Sequence, residues 1–156
     1  MKRLVFIFSI FCTLTYAEEV KPIRVYVDVV GDLFHAGHVQ FFQKAREHGD
    51  YLIVGIHGDD AVTEYKRHPI LSLEERQIVI EACCYVDEVI PNSPIGITKE
   101  WIEKYDIDVV IHGDDYTLDR IMEQYSVPME MGIFKTVPYS DGISTTDIIN
   151  RVKNLH

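Results

Sequence analysis

The residues best equipped for chemistry in this chain are His35, Ala36, Gly37 and His38, a His-x-Gly-His run placed between an apolar stretch and an amphipathic one. Two imidazoles can donate hydrogen bonds to phosphate oxygens, and such donors count most when charge builds up at phosphorus during group transfer. Gly37 lets the backbone turn tightly and lets a phosphate come close. A helix beginning at this point adds free N–H groups and the positive end of its dipole. Two metal-ligating or surface histidines would give the same spacing, so the position of the run between a strand and a helix carries the reading.

The surrounding pattern supplies those elements. Residues 23–30 (IRVYVDVV) are β-branched and apolar and predict a buried strand, and residues 31–37 a loop. A helix follows over residues 38–48, with Val39, Phe42 and Ala45 on one face. Residues 51–56 (YLIVGI) predict a second strand, ending in a polar turn from His57 to Asp60. Ser72 with Glu75 three residues on is a capping-box start, and Ile78, Val79 and Ala82 give that helix its expected apolar side. A short strand over residues 86–90 is expected to stop at Pro91 and Asn92. Then come a helix at 99–105, a strand at 108–111 and a helix at 118–125. A last strand at 132–137 and a closing helix at 144–153, capped by Ser144, complete the pattern. Strands alternating with helices predict an α/β fold, a parallel sheet with helices on both faces, and ligands at the carboxyl ends of the strands. The polar clusters at 32–38, 57–60 and 112–116 all fall at those ends.

The 156 residues suit one domain, expected over residues 23–156. Fifteen Lys and Arg against 25 Asp and Glu give a formal charge of −10, which disfavours a general nucleic-acid binder. The three cysteines (Cys12, Cys83 and Cys84) have neither metal-site spacing nor a disulfide framework. Residues 1–17 have a basic start, an apolar run and a small residue at Ala17, the layout of a secretory signal peptide. That leader points to the secretory pathway or an extracytoplasmic site; the alternative is a cytoplasmic protein, nearer the nucleotide pool that phosphoryl chemistry needs.

Three ordered segments carry a family resemblance. Residues 23–60 around HAGH, the run LSLEERQIVIEACCYVDEVIPNSP and the run SDGISTTDII resemble the cytidylyltransferases that activate phosphoethanolamine, phosphocholine and glycerol 3-phosphate. The resemblance implies a Rossmann-like nucleotidyltransferase fold and CMP transfer from CTP to a phosphorylated alcohol, phosphoethanolamine favoured, releasing pyrophosphate. It implies that His35 and His38 stabilise the transition state and that Lys66 bridges the phosphates of both substrates. It implies nucleotide contacts from Val30, Gly31, Asp32, Gly37, Arg76, His112, Asp114, Gly142, Ser144 and Thr145. Tyr116 is the expected substrate wall. Magnesium is expected on the triphosphate, with no protein metal cage, and homodimers are common in the resembled family.

Three positions depart from the family pattern. Val29 stands where the family has glycine, Tyr139 where it has arginine before the GIST turn, and Ile95 where choline enzymes have a tryptophan. The last change disfavours a quaternary ammonium, which gains from aromatic walls. The loss of the arginine keeps an ATP-using adenylyltransferase of the same superfamily in view, and a non-catalytic nucleotide-binding protein is the reading from another class.

Overall fold

The computed structural model describes residues 20–139 and 142–155. The leader-like segment at residues 1–17 lies outside the described residues. Among those described, five strands form one sheet: β1 (Arg24–Val29), β2 (Tyr51–His57), β3 (Glu88–Ser93), β4 (Val109–Gly113) and β5 (Phe134–Val137). Their order is β3-β2-β1-β4-β5, and every pairing is parallel. The helices are α1 (Ala36–Arg46), α2 (Asp59–Thr63), α3 (Leu73–Glu81), α4 (Lys99–Lys104), α5 (Leu118–Glu130) and α6 (Thr145–Lys153). This is an α/β, Rossmann-like sheet, as the alternation predicts.

Side-chain alternation along the strands feeds two cores. Val25, Val27, Leu52, Val54, Ile56 and Ile111 pack with Phe42 and Ala45 of α1 and Ile80 of α3 on one face. Tyr26, Ile53 and Val110 pack with Ile102 of α4 and Tyr125 of α5 on the other. The chain runs outward from β1 to β3, then returns to place β4 on the other side of β1. The carboxyl ends of β1 and β4 therefore flank the crevice where the strand order reverses, the usual ligand position in such sheets.

Four elements differ from the sequence expectation. In α3 the buried residues are Arg76 and Ile80, with Leu73 and Cys83 packed beside the core. Ile78, Val79 and Ala82 face outward instead. The stripe at 73, 76, 80 and 83 has correct helical spacing, but it contains an arginine and so does not read as apolar. The strand β3 runs through Pro91 and Asn92 to Ser93, because it lies at the sheet edge, where a missing N–H costs no ladder bond. The polar turn after β2 is a short helix, α2, with His57 ending the strand. Finally, α5 extends past Tyr125 to Glu130 with a kink. Pro128 removes the donor to the Gln124 carbonyl, which accepts from Ile97 N–H instead at 2.9 Å. The break falls at Tyr125 (φ −126°, ψ 17°).

Candidate active site

A cavity of about 560 Å³ opens at the carboxyl ends of the strands. The loop from Val30 to His35 enters it first. Gly31 takes φ +71°, a left-handed backbone that favours glycine, and a Cβ there would push on the end of the Ile80 side chain, 2.7 Å away.

The His-x-Gly-His run then starts α1 with a capping box made of histidines. His35 is the N-cap, and its Nδ1 accepts from Gly37 N–H at 3.1 Å. His38 Nδ1 accepts from His35 N–H at 3.3 Å. A nitrogen that accepts from a backbone N–H carries no proton, so each neutral ring holds its proton on Nε2. The rings lie 4.0 Å apart, with Phe34 stacked on His38 at 5.5 Å. Burial lowers the His38 pKa to about 3, helped by His35 and opposed by the Asp32 carboxylate. Burial also lowers that of His35, against Asp147. Two neutral Nε2–H donors therefore result at the cavity wall. A Cβ at Gly37 would lie 3.2 Å from Ile143 O, so glycine permits the close packing of α1 on the GIST segment.

That segment brings a second helix start to the same wall. Ser144 caps α6: its hydroxyl donates to Asp147 at 2.7 Å and accepts from Asp147 N–H at 3.1 Å. Thr145 Oγ1 donates to the Asp32 carbonyl at 2.8 Å. Ser144, Thr145 and Thr146 line the cavity together with His35 and His38. Two helix N-termini on one cavity suit a polyanion.

Asp32 organises the mouth. Its buried carboxylate accepts from Ile70 N–H, Leu71 N–H and the Arg67 guanidinium. Burial would raise its pKa, but these three donors hold it below the ordinary carboxylate value. The 67–71 loop is thereby pinned, with Lys66 beside it on the cavity lining. Desolvation lowers the Lys66 pKa, as does the nearby charge of Arg120, while Asp115 opposes. Arg120 in turn lies 5.4 Å from the Tyr116 ring.

Of the residues singled out from sequence, Val30, Gly31, Asp32, His35, Gly37, His38, Lys66, His112, Tyr116, Ser144 and Thr145 all line this cavity. Three do not. Arg76 is fully buried beneath it, donating to the Val30 and His57 carbonyls and to Asp59. It braces the ends of β1 and β2, where a nucleotide ligand was expected. Asp114 accepts from Tyr139 N–H at 2.8 Å and ties the end of β4 to the segment after β5. Gly142, at φ +103°, is exposed beside the GIST turn.

The cavity also holds residues that the motifs did not single out: Asp28, His57, Tyr65 and Arg67. Asp28 is 5% exposed; Oδ1 accepts from Tyr125 Oη–H at 2.5 Å, and Oδ2 has no partner. An acid inside the otherwise apolar run VYVDVV was the available signal. Tyr116 and Tyr125 pack on His112, with ring centroids 4.0 and 5.2 Å from it. Trp101 packs with Tyr26 and Tyr105 in the second core and, like Ile95, is absent from the cavity lining.

Comparison with known proteins gives a consistent picture. A family described as cytidylyltransferase-like matches residues 31–151. The ethanolamine-phosphate cytidylyltransferase of Dictyostelium discoideum is 41% identical over 133 residues, which cover 82% of this chain and 37% of that protein. Human choline-phosphate cytidylyltransferase A is 36% identical over 135 residues, covering 85% of this chain and 37% of that one. The chain thus spans little more than a third of the length of these two relatives. Among solved structures, a lipopolysaccharide core biosynthesis protein from Thermoplasma volcanium GSS1 superposes with a TM-score of 0.64 at 25% identity, covering 79% of this chain and all of that one.

Proposed function

The chain belongs to the cytidylyltransferase-like family, and on that premise we propose that it transfers CMP from CTP to phosphoethanolamine, giving CDP-ethanolamine, a phospholipid precursor, and pyrophosphate. The observation that carries the amino-alcohol is Asp28: a buried carboxylate with one unpartnered oxygen, in the wall of the cavity that holds the paired histidines. A buried anion is costly unless paired, and a substrate ammonium is its natural partner.

The cavity then divides by chemistry. The triphosphate lies against the start of α1 and the start of α6, with the Nε2–H groups of His35 and His38 directed at the α-phosphate. Lys66, on the cavity lining, contacts the phosphates of both substrates in this scheme. A phosphate oxygen of phosphoethanolamine attacks the α-phosphorus in line. The new P–O bond forms as the bond from the α-phosphorus to the bridging oxygen breaks, and pyrophosphate leaves with that electron pair. The protein provides no nucleophile in this scheme; it positions the groups and stabilises charge. Among the described residues no group of three His, Cys, Asp or Glu could hold a metal, and the Asp32 oxygens are committed to the 67–71 loop. When bound with the triphosphate, magnesium would be carried by phosphate oxygens and water and would neutralise charge on the leaving group.

Tyr139 in the cavity wall, in place of a cation, favours keeping ATP as the second reading. Pyrophosphate release is measured with CTP and ATP, each against phosphoethanolamine, phosphocholine and glycerol 3-phosphate. CTP with phosphoethanolamine is expected to give the highest kcat/KM. Higher turnover with ATP removes the cytidylyl assignment, and higher turnover with glycerol 3-phosphate removes the amino-alcohol.

A further inference from the structure

We infer that His57 is the specificity-determining residue that selects a primary ammonium over a fully methylated one; this rests on the amino-alcohol reading above. His57 ends β2 and is 6% exposed. Its Nδ1 lies 3.3 Å from the Ser93 carbonyl oxygen and 3.2 Å from Ser93 Oγ. A carbonyl oxygen can only accept, and the tautomer with its proton on Nδ1 satisfies it by donating to Ser93. Nε2 then presents a lone pair, 3.9 Å from Asp28 Oδ1. Two acceptors at that separation do not bond to each other. They fit one donor between them: a nitrogen about 2.8–2.9 Å from each satisfies both.

An ammonium with three N–H groups fills that position, giving one proton to Asp28 and one to His57. A trimethylammonium has none to give, and it would leave Nε2 buried and unpaired. Sites built to hydrogen-bond an N–H reject analogues that lack it far more strongly than apolar pockets reject a methylene. The alternative recognition, by an aromatic cage, lacks its tryptophan here, because Trp101 is committed to the second core.

The distinction shows in a methylation series. Phosphoethanolamine and its N-methyl, N,N-dimethyl and N,N,N-trimethyl derivatives offer three, two, one and no N–H. Two acceptors are both served down to the monomethyl compound, so kcat/KM is expected to fall most at the second methyl. In His57→Leu the carboxylate remains as the one acceptor, and the main fall shifts to the third methyl. The ratio of kcat/KM for phosphoethanolamine over phosphocholine then drops by about tenfold or more. His57→Gln, which retains an acceptor, recovers part of the ratio. A His57→Leu protein that keeps the wild-type ratio within about twofold, on the scale of measured hydrogen-bond losses, overturns the inference while leaving the proposed reaction standing. If the wild-type chain turns over none of the four amines, the proposed reaction falls and the inference with it. Because His57 is buried, ¹⁵N NMR of the wild-type imidazoles provides a reading independent of any variant. Nδ1–H with an Nε2 resonance that moves on adding phosphoethanolamine, but not phosphocholine, is the expected result; an Nε2–H in the phosphoethanolamine complex overturns it.

Discussion

Thr145 Oγ1 donates to the carbonyl of Asp32 at 2.8 Å, across 113 residues of sequence. One hydroxyl thus locks the GIST segment onto the loop that precedes the histidines, and the same Asp32 holds the 67–71 loop through its carboxylate. Thr145→Val keeps the shape and deletes the bond. The expected result is a several-fold rise in KM for CTP with a stability loss of about 1 kcal/mol, read by nucleotide titration and chemical denaturation. An unchanged KM would separate this bond from nucleotide binding.

The paired histidines give the largest expected effect on rate. His35→Ala or His38→Ala removes a donor aimed at developing charge, so kcat should fall by about 10²–10³ while KM for CTP changes little. Asn at either site retains an N–H and part of the rate. Folded Ala variants with near-normal turnover would remove both from the reaction centre.

The same burial has a consequence for acid stability. His38 titrates at about 3 in the folded chain against 6.5 ordinarily, so the unfolded chain binds the proton more readily. Stability is therefore complete above about pH 6.5 and is lost as pH falls towards 3. His35 contributes in the same direction. Melting temperature against pH should fall more steeply for the wild type than for His38→Asn between pH 6.5 and 4; parallel curves would contradict the assignment.

Arg76 should behave as a structural residue. Arg76→Met leaves the Val30 and His57 carbonyls without their donor and Asp59 without its partner. A destabilisation of about 2–4 kcal/mol is expected by denaturation. A variant as stable as the wild type, with only a raised KM for nucleotide, would return Arg76 to the ligand set.

Asp28→Asn tests the ammonium end. Losing the negative charge should raise KM for phosphoethanolamine at least tenfold, in keeping with the strength of charged hydrogen bonds, and leave KM for CTP nearly unchanged. Equal changes in both would place Asp28 outside the substrate end.

The fold and the cavity wall bearing the two histidines were legible because their signals are local. An apolar run, a glycine turn and a capping box each act over a few residues, so β1, α1 and α6 appear in the sequence close to where the structure has them. The rest depended on packing. Arg76 reads as a nucleotide contact by resemblance, but Asp59 and two strand-end carbonyls gather around its guanidinium instead. Ile78 and Val79 look like core because no local rule says which stripe of α3 meets the sheet. Asp28 is hidden inside a strand pattern, and its bond to Tyr125 depends on tertiary packing that no local signal shows. Pro91 looks like a stop because its position at the sheet edge is a property of strand order, which the sequence does not show.

That edge position carries one more consequence. Open parallel sheets have two rims of unpaired backbone that can recruit another chain. Here β3 carries Pro91, which offers no N–H, followed by Asn92 at φ +56° and a register shift opposite Ile56 and His57. On the opposite rim β5 is four residues long and exposes Lys135. Both rims are poor templates for strand addition, so self-association through the sheet, and the fibrillar aggregation that grows from it, is disfavoured by the same proline that obscured the strand.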